Sequence, residues 1–584
     1  MDCGAEHNLH NELETLVILY MDIETSSHLV NLVTQGAHAY AEDAAIIIAR
    51  CLVDDDPEMR DATTELMQQA DIIVAHNATF ERLFYPDVPM EKWRCTMAMA
   101  KVYNIPASLD KASEALNLEH GKDPRGAKLM RLFSIPDRKG RIFTPEERPK
   151  EWAEYVEYCD ADVRATRSLY KRLPKLSGSE QANWILNEYI NERGLILDTE
   201  LVNAAVELDD KLRDQARDEL LTLTGLENPN SRNQLLTFLQ AVYPDLQDLR
   251  KGSVMALPDD DPVVFQRKIL SSTASKKYAA MQMGGKGTLN FYGASNTGRW
   301  SGRRIQPQNM ARPTVAPDRQ AVMDGTADMP TLASTVRSAI IGDPYLTVSD
   351  YSQIEARVLM WLAGDTEGLH NFRDGKDLYQ VMADKMGTSR QIAKGIVLGA
   401  SYGGGKNALI AFGIAPDIAE RSVASFRRAN PKIVKLWHSL SHAVESATSN
   451  PTYPVKAGKV AYAYRRGTLV CKLPSGRCLY YHNYDPRTNY SGKRNIWHGV
   501  LVENVCQAIA RDILAEALIR VDKAGLKIVT HVHDEVVTLG EHLDELNTLM
   551  CVLPDWAEGS PLSADGYESL PLSADGYESK CYRK

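Results

Sequence analysis

The stretch "GLKIVTHVHDEVVTLG" (525–540) sets His533, Asp534 and Glu535 in the middle of an apolar, β-branched run. Such a run predicts strands on both sides of the charges, and carboxylates buried there unpaired would be costly. The chain must therefore turn at this point. Either a β-hairpin carries the charges to solvent, or its tip meets a counter-charge, and a metal-binding tip needs a second carboxylate from elsewhere. "YLTVSDYSQIEARVLMWLAGD" (345–365) offers one, because Asp350 stands where an apolar strand gives way to a helix. The same place also suits a plain N-cap. Two carboxylates about 4 Å apart repel by roughly 4 kcal/mol at an effective dielectric of 20. Divalent cations turn that repulsion into binding, and oxygen-only ligands favour magnesium over zinc. Paired ions about 3.5–4 Å apart can activate an attacking oxygen and stabilise a leaving one.

A third segment narrows the choice. In "SRQIAKGIVLGASYGGG" (389–405), Arg390, Lys394, Leu398 and Tyr402 recur at every fourth residue. At about 100° per residue they form one helical stripe, with Ile392, Ala393, Ile396, Val397 and Ala400 on the other side, free to face a core. Two cations followed by an apolar residue and an aromatic suit a nucleoside triphosphate lying along the helix. A solvated amphipathic face is the plainer meaning of Arg and Lys at this spacing, but Leu and Tyr continuing the stripe argue against it.

The length of 584 residues exceeds one core and predicts three or four domains or subdomains. A net charge of −10 argues against a protein that coats nucleic acid indiscriminately, yet leaves room for a local basic groove. The nine cysteines show no CxxC pair, so reduced thiols and a cytoplasmic location are expected. Neither a signal peptide nor a membrane span is expected. Residues 1–15 read as a loose tail and 16–100 as α/β, with strands in "TLVILYMDIET", "AAIIIARCLV" and "ADIIVAHNA" and a helical pattern over 57–70. Segment 120–150 reads as mostly loop, 146–172 as helix, 173–178 as linker, 179–285 and 351–447 as helical, 452–500 as strands and loops, and 501–523 as helix. "PLSADGYES" occurs at 561–569 and again at 571–579; two copies are too few for a solenoid, and no function is expected of them.

These segments resemble the polymerase motifs of the family A DNA polymerases: "DYSQIEAR" the first, "RQIAKGIVLGASYG" the second and "HVHDEVV" the third. "TGRWSGRRIQPQN" (297–309) is similar to the primer-binding segment upstream, and the likeness runs from about 180 to the end. It implies that Asp350 and Asp534 hold two Mg2+ ions, or Mn2+ in their place, with Glu535 supporting that catalytic site. Arg390 and Lys394 would grip the triphosphate, with Lys394 protonating the leaving pyrophosphate. Tyr402 would close the base-pair pocket, and Glu355 would block a ribose 2′-OH. Arg299, Gln507 and His533 would contact DNA, the first two as minor-groove donors that check geometry without reading sequence. Leu398 stands where many members carry an aromatic, and Tyr379 where a His is frequent.

The N-terminal third resembles the DEDD proofreading exonucleases, which have an RNase H-like fold. Asp22 and Glu24 in "YMDIETSS" lie two apart, hence on one strand face; "HNATFERLF" offers Asn77 and Glu81; "YVEYCDADVRAT" offers Tyr158 and Asp162 at helical spacing. The resemblance implies that Asp22, Glu24, Glu81 and Asp162 hold two further metal ions and that Tyr158 orients the attacking water. Glu81 stands where Asp is typical. The expected architecture is thus α/β and multidomain. An exonuclease domain at 16–175 precedes a right-hand polymerase domain at 176–584, with no 5′ nuclease domain ahead of it. Within the hand, the thumb is expected at about 200–285, the palm at about 286–365 and 456–584, and the fingers at about 366–455. The implied protein is a monomeric, bacteriophage-type replicative enzyme of the host cytoplasm. It would act on primer-template DNA and dNTPs beside replisome accessory proteins, with duplex DNA against the basic segment 266–277. A single-subunit RNA polymerase and a non-catalytic DNA-binding homologue are the rivals; Glu355 and the exonuclease motifs oppose the first, and intact Asp350, Lys394 and Asp534 the second.

Overall fold

Near the start of the chain, five strands lie in one sheet: β1 (Ile18–Ser26), β2 (Ala45–Val53), β3 (Arg60–Asp61), β4 (Ile72–Ala75) and β5 (Trp93–Cys95), in the order β3-β2-β1-β4-β5. The pairs β1–β2 and β2–β3 are antiparallel, whereas β1–β4 and β4–β5 are parallel. The apolar run of β1 follows from its central place, since it must be covered on both faces. Its register slips between Glu24 and Thr25, the kind of bulge that re-aims a side chain. Helix α1 (Pro149–Arg172) starts on a proline, which needs no N–H there, and ends on Lys171 and Arg172, which suit its C-terminal dipole. It buries Tyr155, Tyr158, Cys159, Asp162, Val163, Thr166 and Leu169, a stripe at helical spacing. Tyr20, Leu52, Val74, Val163 and Leu169 share one core.

The computed structural model describes residues 16–28, 36–54, 56–119, 125–310, 312–557 and 572–583. Residues 1–15, expected to form a loose tail, lie outside them. The chain divides into two units, 1–185 and 186–584, where the sequence reading sets its boundary at 175/176. One local reading is corrected: segment 57–70 forms a two-residue strand at 60–61 and a helix only at Thr64–Gln69. The stretch expected to be mostly loop at 120–150 carries one short helix, Gly126–Phe133. Among the described residues, the cysteines are free thiols and no helix is long and apolar enough to cross a membrane.

In the second unit, the helix Thr199–Thr224 is capped by Asp198, whose side chain accepts from the Leu201 N–H, and ends at left-handed Gly225. Further on lies a four-stranded antiparallel sheet of β6 (Ile341–Tyr351), β7 (Ile528–Val532), β8 (Glu535–Leu539) and β9 (Ala574–Cys581), in the order β7-β8-β6-β9. Seven helices fill 354–449, among them α2 (Arg390–Ala400), and a 26-residue helix α3 (His498–Lys523) runs up to the hairpin. Apolar residues surround α3 on nearly all sides, as expected of a helix that crosses a core.

The duplicated tail is not structurally idle, contrary to expectation. Its second copy supplies β9, which pairs with β6 and so covers what would be an exposed sheet edge. Gly576 sits so close to its neighbour that a Cβ there would meet the Val348 carbonyl oxygen at 1.9 Å. Gly576→Ala should therefore destabilise this unit by about 1–3 kcal/mol in denaturant unfolding. An unchanged midpoint, or an equal loss from Gly566→Ala at the matching position of the first copy, would show that the second copy does not supply the strand.

Candidate active site

Strand register builds the acidic end of the β6–β8 sheet. Asp350 of β6 lies opposite Glu535 of β8, and the Tyr351 N–H donates to the Asp534 carbonyl at 3.0 Å. Residues 350 and 534, 184 apart in sequence, thus meet at one end of adjacent strands. Val532 pairs with Glu535, so His533 and Asp534 make a two-residue turn. His533 takes the left-handed conformation (φ 56°), which costs a residue with a side chain about 1–2 kcal/mol and is typical of hairpin turns. Glu535 is buried, and the Tyr582 hydroxyl donates to its Oε1 at 2.6 Å. Burial, and then the nearby Arg299 charge, hold the His533 pKa below its ordinary value.

A cavity of about 290 Å³ opens beside this turn, lined by Gln353, Glu355, Tyr379, Leu398, Tyr402 and Asp534, among others. Asp350 stands next to it through its strand pairing and is not part of the lining. Arg390, Lys394 and Leu398 lie on α2 as expected, but the helix ends at Ala400, so Tyr402 falls in the turn just beyond it. Ser389 caps the helix by accepting from the Ile392 N–H, while Ala393, Ile396, Val397 and Ala400 are buried. Leu398 is exposed, and Arg390 and Lys394 stand 5.6 and 6.0 Å from the Tyr379 ring centroid. Arg390 is not free: its Nε and Nη2 both donate to Asp377 Oδ2, at 2.8 and 2.6 Å. At the other end of the stripe, Glu355 accepts from Arg299 Nη2 at 2.6 Å and from the Tyr402 hydroxyl at 2.5 Å. Arg299, expected as a DNA contact, is thus held by Glu355, and Gln507 lies partly buried on α3.

The basic segment 266–277 is less open than expected. Gln266 is buried, Arg267 is half-buried with its pKa lowered by desolvation, and Lys268 donates to the Leu257 carbonyl at 2.7 Å and to Asp259 at 2.5 Å. Lys276 is exposed.

In the first unit, four carboxylates predicted from scattered motifs interact. Burial raises the Asp22 pKa well above the carboxylate range, and Asp162, Glu24 and Glu81 add repulsion in that order. Glu81, on the helix Thr79–Phe84, is pushed up to about 8, chiefly by burial, with Glu24's charge adding to it. Tyr158 is raised by burial and then by Asp162's charge, which places its hydroxyl beside that carboxylate. Sequence reasoning missed Tyr155, whose hydroxyl donates to Glu24 Oε2 at 2.5 Å, and Cys159, whose thiol donates to Asp22 Oδ2 at 3.5 Å. It also missed Asp377 and Tyr582, since nothing local marks a residue whose partner is distant in sequence.

Among the described residues no three Asp, Glu, His or Cys side chains stand in finished metal-ligand geometry, so the expected metal sets are not preformed. The chemistry nevertheless fits a hard divalent cation. Glu81 Oε2 is buried without a hydrogen bond inside a cluster of mutually repelling oxygens.

Comparison with known proteins establishes the family. The profile described as DNA polymerase family A matches residues 288–551, a span that takes in Arg299, Asp350, Lys394 and Asp534. A DNA polymerase of Bacillus phage SP02 is 34% identical over 640 aligned positions, covering 94% of this chain and 98% of that one. A DNA polymerase of Mycobacterium phage L5 is 24% identical over 66% of this chain and 61% of its own. The POL domain of Pol1 from M. smegmatis, solved in complex with DNA primer-template and dNTP, shares the fold. Its TM-score is 0.61 over 97% of this chain and 95% of its own, at 18% identity. An identity of 34% along nearly the whole of both chains makes this protein a member of DNA polymerase family A.

Proposed function

We propose that the chain extends DNA primers on a template with dNTPs in bacteriophage replication, and that residues 16–185 form a 3′–5′ proofreading exonuclease. One observation carries the first half: the turn bearing Asp534 lines the same cavity as Leu398 and Tyr402, with Asp350 beside it in register and Arg390 and Lys394 close to Tyr379 of the lining. Magnesium held by Asp350 and Asp534 would activate the primer 3′-oxygen and neutralise the triphosphate. The protein's own residues would do the positioning. Arg390 would exchange Asp377 for phosphate oxygens, and Lys394, one turn along, would carry a proton to the leaving pyrophosphate. Leu398 would face the sugar and Tyr402 the base pair. Glu355, pinned by Arg299 and Tyr402, would occupy the space a 2′-hydroxyl needs. Arg299 and Gln507 would face the minor groove, His533 would contact DNA, and Lys276 would meet the duplex backbone.

The sheet order β3-β2-β1-β4-β5, with β2 antiparallel to both β1 and β3 and with β4 and β5 parallel to β1, supports an RNase H-like reading of the first unit. Asp22, Glu24, Glu81 and Asp162 would hold its two ions, and Tyr158 would orient water through its hydroxyl beside Asp162.

Asp350→Ala should slow primer extension by about a thousandfold or more with primer-template binding retained; extension at the parent rate would end the polymerase assignment. Offered rNTPs in competition with dNTPs, Glu355→Ala should incorporate ribonucleotides about tenfold more readily than the parent. No gain would mean that Glu355 does not guard the sugar. Asp22→Ala should abolish digestion of single-stranded DNA and leave extension intact; continued digestion would refute the proposed exonuclease site.

A further inference from the structure

Beyond Tyr402 the structure holds an aromatic group for which the reaction above has no use. Trp497, the residue preceding α3, is 43% exposed. It is held on two sides. Its ring stands edge-on to His498, with centroids 4.8 Å apart at 75°, and it fills the space a side chain at residue 499 would need. A Cβ on Gly499 would meet Trp497 Cη2 at 2.3 Å and the Tyr402 carbonyl oxygen at 2.4 Å. The same missing side chain therefore brings the indole and the Tyr402 backbone together. His498 in turn stacks on Trp437 at 5.7 Å, and the Trp437 indole N–H donates to the Ser401 carbonyl at 3.2 Å. The indole is thereby fixed to the end of the segment whose Tyr402 lines the nucleotide cavity.

The surroundings are cationic. Arg427 lies over Trp437 at 6.0 Å, and Lys493 and Arg494, just ahead in the chain, are exposed. The nearby acid Asp485 already accepts from Arg487. An exposed apolar residue by itself means little. A rigid, half-exposed indole among cations is the platform on which an unpaired base stacks while its phosphates are neutralised. Its place decides which base. If the triphosphate end of the cavity is at Arg390 and Lys394 and the base end at Tyr402, then a strand passing Tyr402 on the far side is the template not yet copied.

We infer that Trp497 is a stacking site for the unpaired template base ahead of the templating position. This inference rests on the polymerase reading. The test compares two primer-templates, one with a long single-stranded template overhang and one with a single unpaired nucleotide. Trp497→Ala should bind the long-overhang substrate about tenfold more weakly, the factor that about 1.4 kcal/mol of lost stacking represents. Trp497→Phe should restore most of that affinity, and both variants should bind the single-nucleotide substrate as the parent does. 2-Aminopurine at the first template position past the templating base should change its fluorescence on binding the parent but not Trp497→Ala. Equal weakening on both substrates, no weakening on either, or the same fluorescence change with Trp497→Ala as with the parent would overturn the inference. Extension of the single-nucleotide substrate by the parent checks the polymerase reading separately.

Discussion

Like charges gathered at strand ends set the terms for both units. In the second unit, strand pairing does the gathering: β6 and β8 place Asp350 and Glu535 abreast, and Asp534 follows because the turn is only two residues long. A slip of one residue would send every side chain of β8 to the other face. The register must therefore be secured from outside the hairpin. β9 pairs along the free side of β6, and Tyr582 just beyond it reaches Glu535. The C-terminal residues thus brace a site whose acids come from elsewhere in the chain.

Beside the cavity, Arg390 and Lys394 approach the ring of Tyr379, and Arg390 is paired with Asp377. Asp377 also caps the helix Leu378–Met386, accepting from the Tyr379 and Gln380 N–H groups through Oδ1 and leaving Oδ2 for the guanidinium. The pair is solvent-exposed, 49% and 38%, so its net strength is about 0–1 kcal/mol. A triphosphate could displace such a partner at little cost. The Glu355 pair is different, since Arg299 is only 16% exposed and both oxygens of the carboxylate are engaged. The exposed pair can open at little cost, whereas the Glu355 pair holds Arg299 and Tyr402 together.

Much of this was legible because local pattern and chemistry coincide. The hairpin at 528–539, the strand that carries Asp350 near its end and the one-sided stripe of α2 follow from local sequence pattern, and the first-unit acids lie at strand and helix positions with recognisable spacing. What stayed hidden depends on tertiary pairing. Asp377 reads locally as an N-cap and is one, yet its second oxygen faces Arg390, thirteen residues away. Tyr155 lies on the same helical stripe as Tyr158, but only the packing of α1 on the sheet shows that it reaches Glu24. The repeat at 561–579 looked idle because edge pairing leaves no mark in composition; its second copy became a strand because the β6 edge was free.

The two acidic sites differ in how far they depend on a partner. Asp534 lines an open cavity, where solvent tempers its charge. Glu24, Glu81 and Asp162 are buried and Asp22 is partly buried, and desolvation shifts Asp22 and Glu81 toward neutral forms even before repulsion is added. The hydroxyl of Tyr155 and the thiol of Cys159 relieve only part of that, because each donates a single hydrogen bond to an acid with two oxygens. Glu81 Oε2 receives none. Glutamate in place of aspartate adds one methylene of reach, which lets a side chain rooted on the helix Thr79–Phe84 extend toward the acids of β1 and α1. A site built this way takes up positive charge, and a hard divalent cation supplies more of it than protons shared among four carboxyl groups.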